Sequence, residues 1–115
     1  MATVTPTYAK KGPRTVITWS GMVTGDTITA YELRETPGLI TVHFGGTFAN
    51  GTSVGLTGSN VDSDYVTARD LADSDITGIL AAAGYGVSTN FNYMKPTIAS
   101  GSSDSVTVTM TIWTR

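Results

Sequence analysis

The chain has no cysteine, no glutamine and a single histidine, and its 115 residues include only two glutamates and three lysines. Without cysteine there is no disulfide, no thiolate metal site and no Cys nucleophile, and one histidine cannot build a two-His metal centre. The shortage of Glu, Lys and Gln starves helices. In their place stand 21 threonines, 10 serines and 13 glycines, a balance that suits strands and turns. No apolar run approaches the ~20 residues needed to span a bilayer, and the first residues lack an apolar signal core. The chain is therefore expected to be soluble and not exported by the usual route. A net charge of -2 gives little electrostatic attraction to nucleic acid or an anionic membrane surface, and neither partner is expected. A chain of this length fits one domain with one core, burying roughly two-thirds of its unfolded surface without metal or disulfide.

What is present is read most securely between Leu39 and Asn60. Ile40, Val42 and Phe44 alternate with Thr41 and His43, the period-two pattern of a strand with one buried face. A second alternating run, with Val54 and Leu56 as its apolar members, follows Ala49-Asn50-Gly51. Asn-Gly between two such runs predicts a hairpin, and a three-residue loop with Gly51 at positive φ gathers Phe44 and Leu56 on one face. Gly45-Gly46 in mid-strand marks a bulge or the close approach of another backbone.

Further strands are predicted at Thr15 to Trp19, Thr27 to Leu33, Tyr65 to Thr67, Gly86 to Phe91, Tyr93 to Ala99 and Ser105 to Thr114. Pro37-Gly38 supplies the turn before the hairpin, and Pro96 puts its strand at an edge or bulge. Ile76, Ile79, Leu80 and Ala83 recur at helical spacing, with Ser74 or Asp75 as N-cap and Gly84 past the end, so one short helix is predicted there. The last strand alternates Val106, Val108, Met110 and Ile112 with threonines, and Trp113 stands on the threonine side. It either caps the domain edge or contacts a partner. About seven to eight strands at turn-rich intervals fit an antiparallel sandwich or jelly roll better than an open sheet.

Residues 1–14 carry Pro6 and Pro13, few large apolar groups and the basic cluster Lys10, Lys11 and Arg14. They read as an extended N-terminal arm preceding a single domain over 15–115, either frayed or ordered against a neighbouring subunit with Tyr8 as anchor. An extended arm of this length reaches up to ~45 Å and is expected to contribute little to an isolated domain. The candidate partner contacts are Tyr8, Lys10, Lys11 and Trp113.

Little in the sequence suggests catalysis. His43 falls on the polar side of its strand with no identifiable nucleophile or carboxylate to work with, and Glu32, Glu35 and the Asp-rich loop cannot be told from solvated loop acids. Asn60-x-Asp62-x-Asp64 has the spacing of a calcium loop but lacks its glycine and its closing glutamate; the same residues build ordinary Asx turns. The expectation is a non-enzyme with no cofactor and no metal.

Several segments together resemble a group of small structural proteins of tailed phages. Trp19-Ser20-Gly21-Met22-Val23-Thr24-Gly25-Asp26-Thr27 resembles their W-x-x-hydrophobic-x-x-G-D-T motif, and residues 46–60 are similar to their G-T-F-x-x-G-x-x-V-x-L-x-G-S-N core. Tyr93-Met94-Lys95-Pro96 resembles their aromatic-hydrophobic-R-P segment, and the likeness spans about residues 15 to 115. Two departures stand out: Lys95 replaces the usual Arg, and Val61 to Asp64 is more acidic than the common Asp-Gly. The resemblance implies an all-β antiparallel sandwich of jelly-roll type. It also implies a head decoration, or cement, protein made in the host cytoplasm. Such a protein forms homo-oligomers, dimers or trimers, on the outer surface of the capsid and clamps neighbouring major capsid proteins. The alternative is a tail or head-fibre accessory domain that binds host surface glycans.

Overall fold

The computed structural model describes residues 2–33 and 37–114, with Pro37 described by its backbone alone. Its strands are β1 (Thr3–Val4), β2 (Thr7–Lys11), β3 (Arg14–Met22), β4 (Thr27–Ile28), β5 (Tyr31–Glu32), β6 (Pro37–Thr47), β7 (Ser53–Ser59), β8 (Val66–Thr67), β9 (Ala83–Val87), β10 (Tyr93–Ala99) and β11 (Ser105–Thr114). They form a five-stranded sheet in the order β2-β3-β11-β6-β9, a four-stranded sheet in the order β5-β10-β7-β8, and a separate β1-β4 pair. Both larger sheets are antiparallel, and only β1-β4 is parallel. The fold is all-β. Four of these strands are two residues long: the single strand expected over Thr27 to Leu33 is instead β4 and β5, in different sheets, and β8 is what forms of the one expected at Tyr65 to Thr67.

Period-two alternation explains the core. On β11, Val106, Val108, Met110 and Ile112 are buried while the threonines between them are half-exposed; β3 buries Ile17 and Trp19, and β6 buries Ile40, Val42 and Phe44. The four-stranded sheet adds Val54, Leu56 and Met94 to the same cluster. One apolar core thus lies between two sheets whose other faces are polar.

The predicted hairpin needs correcting. β6 and β7 do not pair: β6 lies between β11 and β9, and β7 lies between β10 and β8. The turn itself is as expected. Asn50 and Gly51 have φ of 55° and 85°, and Thr52 N donates to Ala49 O at 3.3 Å. The two strands then diverge to opposite sheets, because β11 offers β6 ten consecutive partners and occupies the edge that β7 would have taken. Phe44 and Leu56 still share the core, one from each sheet. Gly46 makes the close approach expected of it: its φ is +113°, and a Cβ there would sit 2.3 Å from Ser105 O. A Cβ on Gly51 would meet Ser100 O at 3.7 Å, an ordinary van der Waals contact, so its dihedral is what constrains it. Gly51→Val should therefore cost about 1 kcal/mol or slightly more. Denaturant midpoints measure this, and an unchanged midpoint would show that the turn does not need its left-handed residue.

The expected short helix is absent: there is no helix among the described residues. Ile76 and Ile79 are buried as the spacing required, but on an extended segment laid along β7. Leu56 N donates to Ile76 O at 2.9 Å, and Val54 and Ile79 exchange two backbone bonds of 3.0 Å. Gly78 at φ +65° breaks any helical path. The presumed N-cap is used differently as well, since Asp70 Oδ1 accepts from Ala72 N and Ser74 N in an Asx turn. Pro37 and Gly38 do not form the expected turn: both belong to β6, where Thr114 pairs with Pro37 across an irregularity, and residues 34–36 lie outside the described residues. β5 covers only Tyr93 and Met94, so Pro96 sits where β10 has one neighbouring strand.

The N-terminal arm is extended and lies against its own domain. β1 pairs with β4, and β2 pairs with β3 from Thr7↔Thr18 to Lys11↔Arg14. Asp26 anchors it further: Oδ1 accepts from Ala2 N and Oδ2 from Val23 N, both at 3.0 Å. These backbone donors, Val23 first, hold the Asp26 carboxyl below its ordinary pKa.

One end of the sandwich is closed by Asp104, which is only 5% exposed. Its Oδ2 accepts from Thr24 Oγ1 at 2.7 Å and Thr52 Oγ1 at 2.8 Å, and its Oδ1 accepts from Thr24 N at 3.1 Å. Three loops are thereby joined on one carboxylate. The Thr24 hydroxyl bond, opposed by desolvation and reinforced by Thr52, lowers the Asp104 pKa. A depressed carboxyl stabilises the folded state above its unfolded value and loses that contribution as pH falls through the folded one. Melting temperature should accordingly drop as the pH is taken below 3.8. Asp104→Asn should melt several degrees lower at neutral pH and show a shallower acid dependence, measured by thermal scans across pH. Parallel acid profiles for the two proteins would remove Asp104 from the account.

Candidate functional site

A groove of about 950 Å³ lies at one side of the sandwich. Register explains how it forms. Tyr8 and Lys10 stand opposite Ile17 and Thr15, which places them on the core-facing side of the five-stranded sheet. β2 is the edge of that sheet, and there Tyr8 remains 68% exposed, its ring 6.1 Å from that of Tyr31 at a tilt of 53°. Tyr31 pairs with buried Met94 and so faces inward on β5, the edge of the other sheet. Glu32, Tyr93 and Lys95 alternate with these and face outward. The groove thus runs from the mouth between the sheets over the β5 edge onto the outer face of the four-stranded sheet, where Tyr65 and Asp62 complete it.

Its floor is fixed by the core. Trp19 is fully buried, and its Nε1 donates to Thr29 O at 2.8 Å, holding the segment between β4 and β5 in place. On the outer side the Lys95 ammonium lies 4.3 Å from the centre of the Tyr65 ring, a cation–π contact. The Tyr65 hydroxyl donates to Asp62 Oδ1. Desolvation first, then this bond and the neighbouring charge, raise the Tyr65 pKa, so the phenol stays neutral at physiological pH. The loop is shaped by Ser59, whose Oγ accepts from Val61 N at 3.1 Å and Ser63 N at 3.3 Å. Asn60 Oδ1 accepts from Asn92 N at 3.2 Å. Thr15 also lines the groove; its hydroxyl is buried, the residue being 2% exposed, and has no hydrogen-bond partner among the described residues.

The four expected contact residues divide between two faces. Tyr8 and Lys10 line the groove. Lys11 stands opposite Arg14, and Trp113 pairs with Arg14 on the outer face of the five-stranded sheet, where the Arg14 guanidinium sits 5.6 Å from the indole centre. Trp113 is 38% exposed. Lys95, marked in the sequence as a departure from the family pattern, lines the groove, as do Tyr31, Tyr65 and Tyr93, which the sequence alone does not single out. The available signal was tyrosine and lysine at polar-side positions of strands whose other side is apolar, as in Tyr93-Met94-Lys95-Pro96. His43 is exposed on the outer face beside Thr41 and Thr109. Glu35 lies outside the described residues. Among the described residues no group of three or more His, Asp or Glu converges in a way that could hold a metal ion.

Comparison with known proteins gave no match to a family model, a curated protein or a solved structure.

Proposed function

We propose that the protein is a non-enzymatic virion component of a tailed phage, a jelly-roll sandwich that decorates the outer surface of the capsid as a dimer or trimer. It stabilises the shell by clamping neighbouring major capsid proteins, with repeated modest contacts that add through multivalency. The observation that carries this reading is the similarity of residues 46–60 to the phage core motif, together with the work those residues do. Gly46 admits the β11 backbone, Gly51 turns the chain between sheets, Gly58 lies under the Phe91 ring, and Ser59 and Asn60 shape the loop that borders the groove. The motif is therefore used here as a unit of architecture. Of the two departures from the family pattern, Lys95 lines the groove and the acidic Val61 to Asp64 loop contributes Asp62 to it.

A second reading, a tail or head-fibre accessory domain that binds host surface glycans, is favoured by the four tyrosines of that groove. Reconstruction of particles incubated with the protein separates the two. Density repeated over the whole shell supports decoration, density confined to the tail vertex supports the accessory domain, and particles that do not retain the protein at all would refute both.

A further inference from the structure

The groove holds an unusual set of groups for a surface feature: four tyrosines, two ammonium groups and two carboxylates, with a buried unpartnered hydroxyl at Thr15. We propose that it is a binding site for a neutral oligosaccharide. This deepens the glycan-binding reading and is independent of where the protein sits on a particle.

Three observations converge. Tyrosine rings present an apolar face with a polar rim, the surface that stacks against the C–H face of a pyranose while its hydroxyls are hydrogen-bonded at the edge. Tyr8 and Tyr93 bring such rings from different sheets to one trough, so successive sugar rings can be held at separated points. The lining carries no net formal charge, since Lys10 and Lys95 stand with Glu32 and Asp62, and so favours neither a polyanion nor a polycation. A sugar hydroxyl both donates and accepts, and so can satisfy a carboxylate and an ammonium side by side; a charged ligand would meet a like charge whichever its sign. Finally, a buried hydroxyl without a partner is uncommon in folded proteins. Thr15 sits opposite Lys10 on the adjacent strand, where a hydroxyl-bearing ligand entering beneath Tyr8 and Lys10 would pair with it.

A polyproline segment is the main competitor for an aromatic groove, but it docks in apolar slots between ring ridges. Here the Tyr8 and Tyr31 rings are tilted 53° to one another, and Tyr65 already has a lysine over its face. The geometry offers one tilted ring pair and two further rings set among polar groups, not parallel ridges with an apolar slot between them.

The test is titration of the free, full-length protein by heteronuclear NMR with neutral gluco-, galacto-, manno- and N-acetylglucosamine oligosaccharides. A sialylated oligosaccharide, a heparin fragment and a proline-rich peptide serve as comparators. Shifts from at least one neutral sugar should map to Tyr8, Tyr31, Tyr93 and the Thr15 amide. Tyr8→Ala should weaken that binding about three- to tenfold, the range expected for one stacked ring. Tyr8 is exposed, so this variant should melt like the wild type; Trp113→Ala, on the opposite face, should bind as the wild type does. Groove shifts from the peptide or the charged glycans alone, or no shift with any neutral sugar, would overturn the proposal. None of these results bears on attachment to capsids, so the two proposals can fail separately.

Discussion

Trp19→Ala should lower the free energy of unfolding by about 3–5 kcal/mol, a large part of the 5–15 kcal/mol by which a domain of this kind is typically stable. Trp19 is the largest fully buried side chain and lies on β3, next to β11 in the five-stranded sheet. Two separate losses add. Removing the indole takes away the apolar area and leaves a cavity among methionines and branched residues. It also leaves Thr29 O without its donor, at the point where the chain passes from β4 to β5. Trp19→Phe separates the terms. It keeps most of the packing and removes the donor, so about 1–3 kcal/mol should be lost. Equilibrium denaturation of both variants measures the pair. A loss below about 1 kcal/mol for the alanine variant would show that the core closes over the gap and that the indole is not what sets this part of the fold. The phenylalanine variant should also show altered tyrosine environments in the groove, because Thr29 forms its floor.

The core was legible because alternation is a local signal. Each of Ile40, Val42, Phe44, Val106, Val108, Met110 and Ile112 declares its face through its immediate neighbours, and all are buried. Pairing is not local. Asn50-Gly51 is a turn at positive φ, as the sequence predicts, yet the strands that pair with β6 are β9 and β11, both of which come much later in the chain. Nothing within the 39–60 stretch reveals that a longer, better-matched partner arrives later. The helix failed for a related reason. Ile76 and Ile79 have a spacing that both a helix and a kinked extended segment can bury on one side, and the Val54 to Leu56 part of β7, which β8 does not pair with, decided for the second. The groove was half legible. Tyr8 and Lys10 were singled out from the arm, whereas the residues opposite them come from β5, β10 and the Asp62–Tyr65 loop, brought together only by the way the two sheet edges meet.

Deletion of residues 2–12 should both destabilise the domain and empty the groove of one wall. The arm is extended, as its prolines suggest, but it is docked: Thr27 N donates to Ala2 O and Thr29 N to Val4 O, each at 2.9 Å, and Val4 packs against the core. β2 adds a five-residue ladder along β3. With hydrogen bonds worth about 1 kcal/mol net each and entropy of the arm regained on undocking, a loss of roughly 2–4 kcal/mol is expected. This differs from the sequence-based expectation that the arm contributes little to an isolated domain. The measurement is a thermal or chaotrope melt of the two forms, followed by the saccharide titration on whatever remains folded. Tyr8→Ala is the necessary companion, since it removes the ring and keeps the strand. If the truncated protein melts with the full-length one, the arm is not held in solution and its docking belongs to some assembled state. If it melts lower while Tyr8→Ala does not, β1 and β2 are part of the domain and Tyr8 is their contribution to the site. The outer edge of β2 carries no strand among the described residues, so the docked arm still presents backbone groups to a neighbour. Contact between subunits through β2 therefore requires no unfolding of the arm, only the approach of a second chain to that edge.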